Sequence, residues 1–232
     1  MFYNLFDPYY WILIVPSLLL ALWAQMMVSS NFKKYSQVYN RRGYTGADAA
    51  RMILDSNVLY HVRIERVSGN LTDHYDPKAE VIRLSDSVYG SASVAAVGVA
   101  AHEAGHAVQH ATGYLPIKIR SAIIPVTQIG SQLSIPLILL GFLFQLKPLV
   151  FVGILFYATA ALFQLVTLPV EFNASSRAMK VLEQSEMLAG DELAGAGKVL
   201  RAAAMTYVAA LLTALAQLLR LILIFGGRRR DD

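Results

Sequence analysis

Cysteine is absent from the 232 residues. That excludes disulfides and thiolate metal sites, so any bound metal must be held by His, Asp or Glu. Charge is scarce: 16% of residues are Asp, Glu, Lys or Arg, against about 25% in soluble domains. A Walker-type G-x-x-x-x-G-K-[ST] loop is missing, so no ATPase of that kind is attached. Repeats and low-complexity linkers are missing too. What fills the chain instead is apolar, with 56% hydrophobic residues and a mean hydropathy of +0.46, values that favour an integral membrane protein. The net charge of +4 is small enough to reflect membrane orientation rather than nucleic-acid binding, and no nucleic-acid partner is expected.

The apolar residues fall into four runs. Tyr9 to Val28 is long enough to cross a bilayer and carries Tyr10, Trp11 and Trp23 near its ends. No basic residue precedes it and it is too long for a signal-peptide core, so it reads as an anchor. Ala122 to Phe144, with Pro125 and Pro136 as expected kinks, and Pro148 to Leu168 form a hairpin around Gln145, Leu146 and Lys147. Met205 to Phe225 is the fourth run, with Arg220 near its end and a polar Gly226 to Asp232 tail beyond.

The segment from Asn31 to Arg120 differs in character. It holds 11 of the Lys and Arg residues and reads as water-facing. Gly46 to Asn57 predicts a helix. Val62 to Val67 and Glu80 to Leu84 predict strands, with turns at Ser68-Gly69-Asn70 and Asp76-Pro77-Lys78. A helix capped by Ser91 or Ser93 should run to about Thr112 and stop at Gly113. Pro169 to Arg201 reads as wet and mostly helical.

The chain has five His, and two of them stand in His102-Glu103-Ala104-Gly105-His106 in the middle of that helix. This H-E-x-x-H spacing places two imidazoles one turn apart on one face, where they can grip one Zn²⁺, with Glu103 beside them as a base toward a bound water. A catalytic zinc takes a third protein ligand. His110 lies eight residues past His102, a rise of roughly 12 Å, too far for the same ion on a continuous helix; it reads as a helix-face histidine. Glu171, at the foot of the third apolar run, is the expected third ligand; the competing reading pairs it with Arg177. Asp73, His74 and Asp76 read as a hairpin loop. Glu183, Glu186, Asp191 and Glu192 read as a solvated face, and His61 has no role.

The segments Ala101 to His110 and Leu168 to Ala178 resemble those of the YugP-type bacterial membrane zinc metallopeptidases, and the similarity runs nearly end to end. The resemblance implies that His102, His106 and Glu171 bind zinc and that Glu103 is the catalytic acid and base; it implies no substrate. A looser similarity is to heat-shock membrane proteases with a gluzincin-like core, which pair H-E-x-x-H with Glu-x-x-Ala-Asp. Glu171 and Ala174 match, but Ser175 replaces the Asp that would orient a ligand histidine. The letters His-Glu-Ala-Gly-His-Ala also occur in ATP-dependent membrane proteases.

The expected fold is therefore mainly α, a multi-pass membrane protein with about four transmembrane helices and a small α+β zincin-like catalytic domain containing a short sheet. Its divisions are an anchor (1–30), a cytosol-facing domain with the motif helix (31–120), a transmembrane hairpin (121–168), a helical segment with the third ligand (169–204), and a last transmembrane helix with a basic tail (205–232). Lys33, Lys34, Arg41 and Arg42 after the first run put the catalytic domain in the cytoplasm, at the cell membrane; Arg228, Arg229 and Arg230 run against that rule. The expected activity is peptide-bond hydrolysis on protein or peptide substrates, membrane proteins among them. The Glu80 to Leu84 strand is expected to offer an open edge to an extended substrate. The bilayer is a partner, and an oligomer or membrane complex is open. Two rival readings are an intramembrane-cleaving zinc protease, disfavoured by the absence of an Asp-Gly pair, and a scaffold with a structural metal site, disfavoured by three ligands and no Cys.

Overall fold

The computed structural model describes residues 7–226, so the expected tail from Gly227 onward lies outside the described residues. The chain is mainly helical, with a π-helical turn (Tyr10–Ile14), α1 (Val15–Tyr35), α2 (Gly46–Ser56), β1 (Arg63–Val67), β2 (His74–Asp76), β3 (Val81–Ser85), α3 (Val94–Ala111), α4 (Leu115–Leu143), α5 (Lys147–Gln184) and α6 (Asp191–Gly226). Four helices are long and apolar enough to cross a membrane: Tyr10–Tyr35, α4, α5 and α6. The residues divide into two compact units. One comprises the chain up to Ala24, Ile119–Leu168 and Thr206 onward; the other comprises Gln25–Lys118 and Pro169–Met205.

In the first unit, α4 and α5 are joined by a turn in which Gln145 adopts φ +57°. Pro125 and Pro136 lie inside α4. The charge near the end of the fourth apolar run has a partner. Arg220 donates to Asp7 Oδ2 from Nε at 3.0 Å and Nη2 at 2.5 Å, and its guanidinium lies 5.4 Å from the Tyr10 ring centre. Both charged side chains are largely covered. This pair sets the start of the first long helix beside the end of the fourth.

The second unit has a core of Ile53, Leu54, Ile82, Leu84, Leu182, Met187 and Leu188 around α3. α2 starts with a capping box, Thr45 accepting from Asp48 N–H while the Asp48 carboxylate accepts from Thr45 N–H. The Ser93 hydroxyl caps α3 by accepting from Ala96 N–H at 3.2 Å. Beyond the α3 C-cap Thr112, Gly113 at φ +64° ends the run.

Three findings differ from expectation. The sheet order is β1-β3-β2, so β3 is central, paired in parallel with β1 and antiparallel with β2. The strand expected to offer an open edge is paired on both sides, and the free edges belong to β1 and β2. Glu80 sits at φ +50°, outside extended backbone, so β3 begins one residue later. The loop expected around His74 is itself a short strand, with Asp73 accepting from Ser85 N–H and Oγ–H and Asp76 accepting from Arg83. As expected of a mostly helical segment, α5 continues unbroken through Pro169 to Gln184. A proline in a long apolar helix is tolerated when neighbouring packing holds the axis, so the helix runs on through Pro169 although the two compact units divide there.

Candidate metal centre

The site is built where α3 meets α5. α3 is rich in small residues, and Gly105 is one of them for a steric reason. A Cβ there would lie 2.8 Å from the Ala174 carbonyl oxygen of α5. Without a side chain at 105 the two helix backbones come together, and Glu171, one turn before Ala174, reaches the imidazoles of α3.

His102 and His106 stand one turn apart with ring centres 4.7 Å from each other and planes at 83°. Glu171 Oε2 lies 3.2 Å from His102 Nε2 and 3.6 Å from His106 Nε2. All three donor atoms fall within 4.8 Å of one another. The Glu171 side chain is 3% exposed and the two imidazoles 13% and 12%. Two donors each about 2 Å from a tetrahedral zinc are roughly 3.3 Å apart, so the two His–Glu171 separations of 3.2 and 3.6 Å match such an ion and the three donors together are close enough to share one. Glu103, beside His102, is buried.

The imidazoles are held from behind. His102 Nδ1 lies 3.1 Å from Ser175 Oγ. His106 Nδ1 lies 3.0 Å from Gln109 Oε1. Gln109, wholly buried, donates from Nε2 to Val170 O at 2.8 Å and to Asn173 Oδ1 at 3.0 Å. The serine that stands where an orienting Asp was expected therefore makes the orienting contact itself. Burial pulls the His106 imidazole down, but the Glu171 hydrogen bond and the charges of Glu103 and Glu171 outweigh it and hold the group above its usual value.

The remaining candidates lie elsewhere. The His110 ring is 5.6 Å from Tyr75, tilted at 54°, and outside the donor cluster. Arg177 donates to Asn173 Oδ1 at 2.8 Å and lies over the Tyr114 ring; the Glu171 carboxylate is engaged by the histidines. His61 makes an exposed contact with Glu80. Glu186 and Asp191 pair with Arg42 and Arg41. Glu192, expected on a solvated face, is buried and accepts from Arg41 N–H at 3.0 Å.

A family model described as "Putative neutral zinc metallopeptidase" matches residues 10–226. The chain belongs to that zinc metallopeptidase family. It is 48% identical over 220 residues to the "Putative membrane protease YugP" of Bacillus subtilis (strain 168), a match covering 95% of this chain and 98% of the relative. No solved structure matches. With four apolar helices of crossing length and a membrane-protease relative of nearly the same span, this family member is a membrane protein.

Gln109 was not singled out from the sequence, and Ser175 was noted only as a departure from a pattern. Gln109 lies three residues past His106 and seven past His102, on their face of α3, as a lone amide in an apolar helix. That position was a readable signal for a group touching a ligand. Ser175 had a signal of the opposite kind, a mismatch to a familiar pattern, and its hydroxyl fills the gap at the same helical position.

Proposed function

We propose that this protein is a membrane zinc endopeptidase in which His102, His106 and Glu171 hold the ion and Glu103 is the catalytic base and acid. The observation that carries the reading is the convergence of three largely covered donors within 4.8 Å of one another, with a fourth, carboxylic side chain beside them and no cysteine to close the set. Three protein ligands leave a position open for a reacting water, as catalytic rather than structural sites do. When bound, zinc supplies a Lewis acid that polarises the scissile carbonyl and acidifies the attacking water.

The chain's own residues do the rest. Glu103 takes the proton of the attacking water and returns it to the leaving amine. The Glu171 carboxylate balances part of the positive charge in the site. Ser175 and Gln109 hold the two imidazoles from their Nδ1 sides. Burial around the three ligands keeps bulk water from competing for their donor atoms. The substrates are proteins or peptides, membrane proteins among them. The basic residues Lys33, Lys34, Arg41 and Arg42 favour a cytoplasm-facing site by the positive-inside rule.

The test is Glu103→Gln in detergent-solubilised full-length protein, assayed on casein and model peptides with zinc content measured in parallel. The variant should keep its zinc and lose cleavage by at least about a hundredfold, the contribution expected of a general base. Phenanthroline should abolish wild-type cleavage. Undiminished cleavage in the variant overturns the assignment.

A further inference from the structure

We infer that Gln109 is a positioning residue that fixes which nitrogen of His106 faces the metal, and that α5 dictates its orientation through a hydrogen-bond chain of one polarity. The inference rests on the zinc reading above and adds a residue to which that reading gives no chemical task beyond contact.

The chain can be read from its two fixed ends. An Arg guanidinium only donates and a peptide carbonyl only accepts. Arg177 Nε–H donates to the Asn173 side chain at 2.8 Å, so the atom it meets is the oxygen, Oδ1. That oxygen also receives a bond from Gln109 at 3.0 Å, so the Gln109 atom facing it is the amide nitrogen. The same nitrogen meets the Val170 carbonyl at 2.8 Å, which again requires a donor. Gln109 Oε1 is thereby the only amide atom left for His106 Nδ1, at 3.0 Å. An amide oxygen cannot donate, so Nδ1 must carry the hydrogen. When His106 is otherwise deprotonated, the lone pair lies on Nε2, the nitrogen 3.6 Å from Glu171 Oε2.

Free imidazole offers either nitrogen to a metal, and the partner of the other nitrogen decides between them. His102 has a more permissive partner, because the Ser175 hydroxyl at its Nδ1 can donate or accept. The amide beside His106 cannot turn over without facing Val170 O and Asn173 Oδ1 with its own oxygen, three acceptors together in a site from which water is excluded. Gln109 is 0% exposed, so no solvent relieves such a flip. It also ties α3 to α5 at the turn of α5 that carries Glu171, so the same side chain orients one ligand and is anchored beside another.

The test uses full-length protein in micelles, with histidine labelled by ¹⁵N and zinc added as the only metal. Nitrogen shifts separate protonated from metal-bound ring atoms. The expected spectrum shows His106 with Nε2 on zinc and a slowly exchanging hydrogen on Nδ1. Gln109→Leu keeps the bulk and removes every polar atom; it should weaken zinc binding about tenfold to a hundredfold and make the Nδ1 hydrogen exchange fast. Gln109→Glu, buried and protonated, still accepts from Nδ1–H and donates one bond, and should recover most of the affinity. Leu182→Ala, a cavity in the same core, should lower the melting temperature and leave zinc affinity unchanged, separating stability from positioning.

Zinc on His106 Nδ1, wild-type affinity in folded Gln109→Leu, or equal weakening in the Leu and Glu variants would overturn the inference. If Gln109→Leu does not fold, the wild-type nitrogen shifts decide alone. Zinc bound through the wrong nitrogen sinks this inference and leaves the peptidase reading standing. A wild type that binds no zinc sinks both.

Discussion

Gly105→Ala sets two effects of opposite sign against each other. In an ordinary helix interior the change is favourable by about 1 kcal/mol, because alanine loses less backbone entropy than glycine. Here the new methyl would lie 2.8 Å from the Ala174 carbonyl oxygen and 3.4 Å from the Ala174 Cα. Ordinary contact begins near 3.4 Å, so α3 and α5 must separate by about 0.6 Å, and overpacking of this kind costs about 1–3 kcal/mol. The sum is a net loss of roughly 0–2 kcal/mol in metal-free stability. The larger effect falls on the metal. Zinc sites hold their distances to about 0.2 Å, and Glu171 sits one turn from the displaced carbonyl. Zinc affinity should fall at least about tenfold, or about 1.4 kcal/mol. Chelator competition and thermal unfolding of the metal-free protein measure the two quantities separately. A variant that gains the full 1 kcal/mol and binds zinc like the wild type would refute the close approach of the two helices.

Two further outcomes follow from the charged groups. In metal-free protein, His106 is held above its usual value by Glu171 and Glu103 against the pull of burial, so its pairing stabilises the fold fully below the unfolded value of about 6.5 and the gain is lost as pH rises through the higher folded value. Zinc must displace that proton, so the rise in melting temperature on adding zinc should grow from pH 5.5 to 8.5; a pH-independent increment would contradict this. The covered Asp7–Arg220 pair makes Arg220→Leu costly, by about 3–5 kcal/mol because a buried carboxylate loses its partner. Asp7→Leu combined with Arg220→Leu should be less damaging than Arg220→Leu alone, as read by unfolding in detergent.

The helix carrying His102 and His106 was legible because its signals agree: a serine cap, an apolar run of helical length, and a glycine stop. The four long apolar segments were legible by length and hydropathy alone. The order of the sheet was not, since Arg63 to Val67 and Val81 to Ser85 look alike in sequence and only β2 decides which of them is central. That strand is three residues long and hides among turn formers. The unbroken course of α5 through Pro169 was not legible, because it rests on packing that no local pattern carries. The carboxylate donor Glu171 could be anticipated from the need for a third ligand, whereas its approach depends on Gly105 meeting Ala174, a contact between residues 69 positions apart that no local pattern carries. Gln109 was visible as a polar residue on the ligand face, but its task depends on Arg177, Asn173 and Val170 across the interface.

The most direct measurement is metal content by mass spectrometry on purified full-length wild type beside Glu171→Ala. The account predicts about one zinc per wild-type chain, the number one His₂Glu site holds, and a loss of most of it in the variant, while circular dichroism shows both folded. A folded Glu171→Ala that keeps its zinc undiminished would contradict the claim that α3 and α5 together hold a single ion.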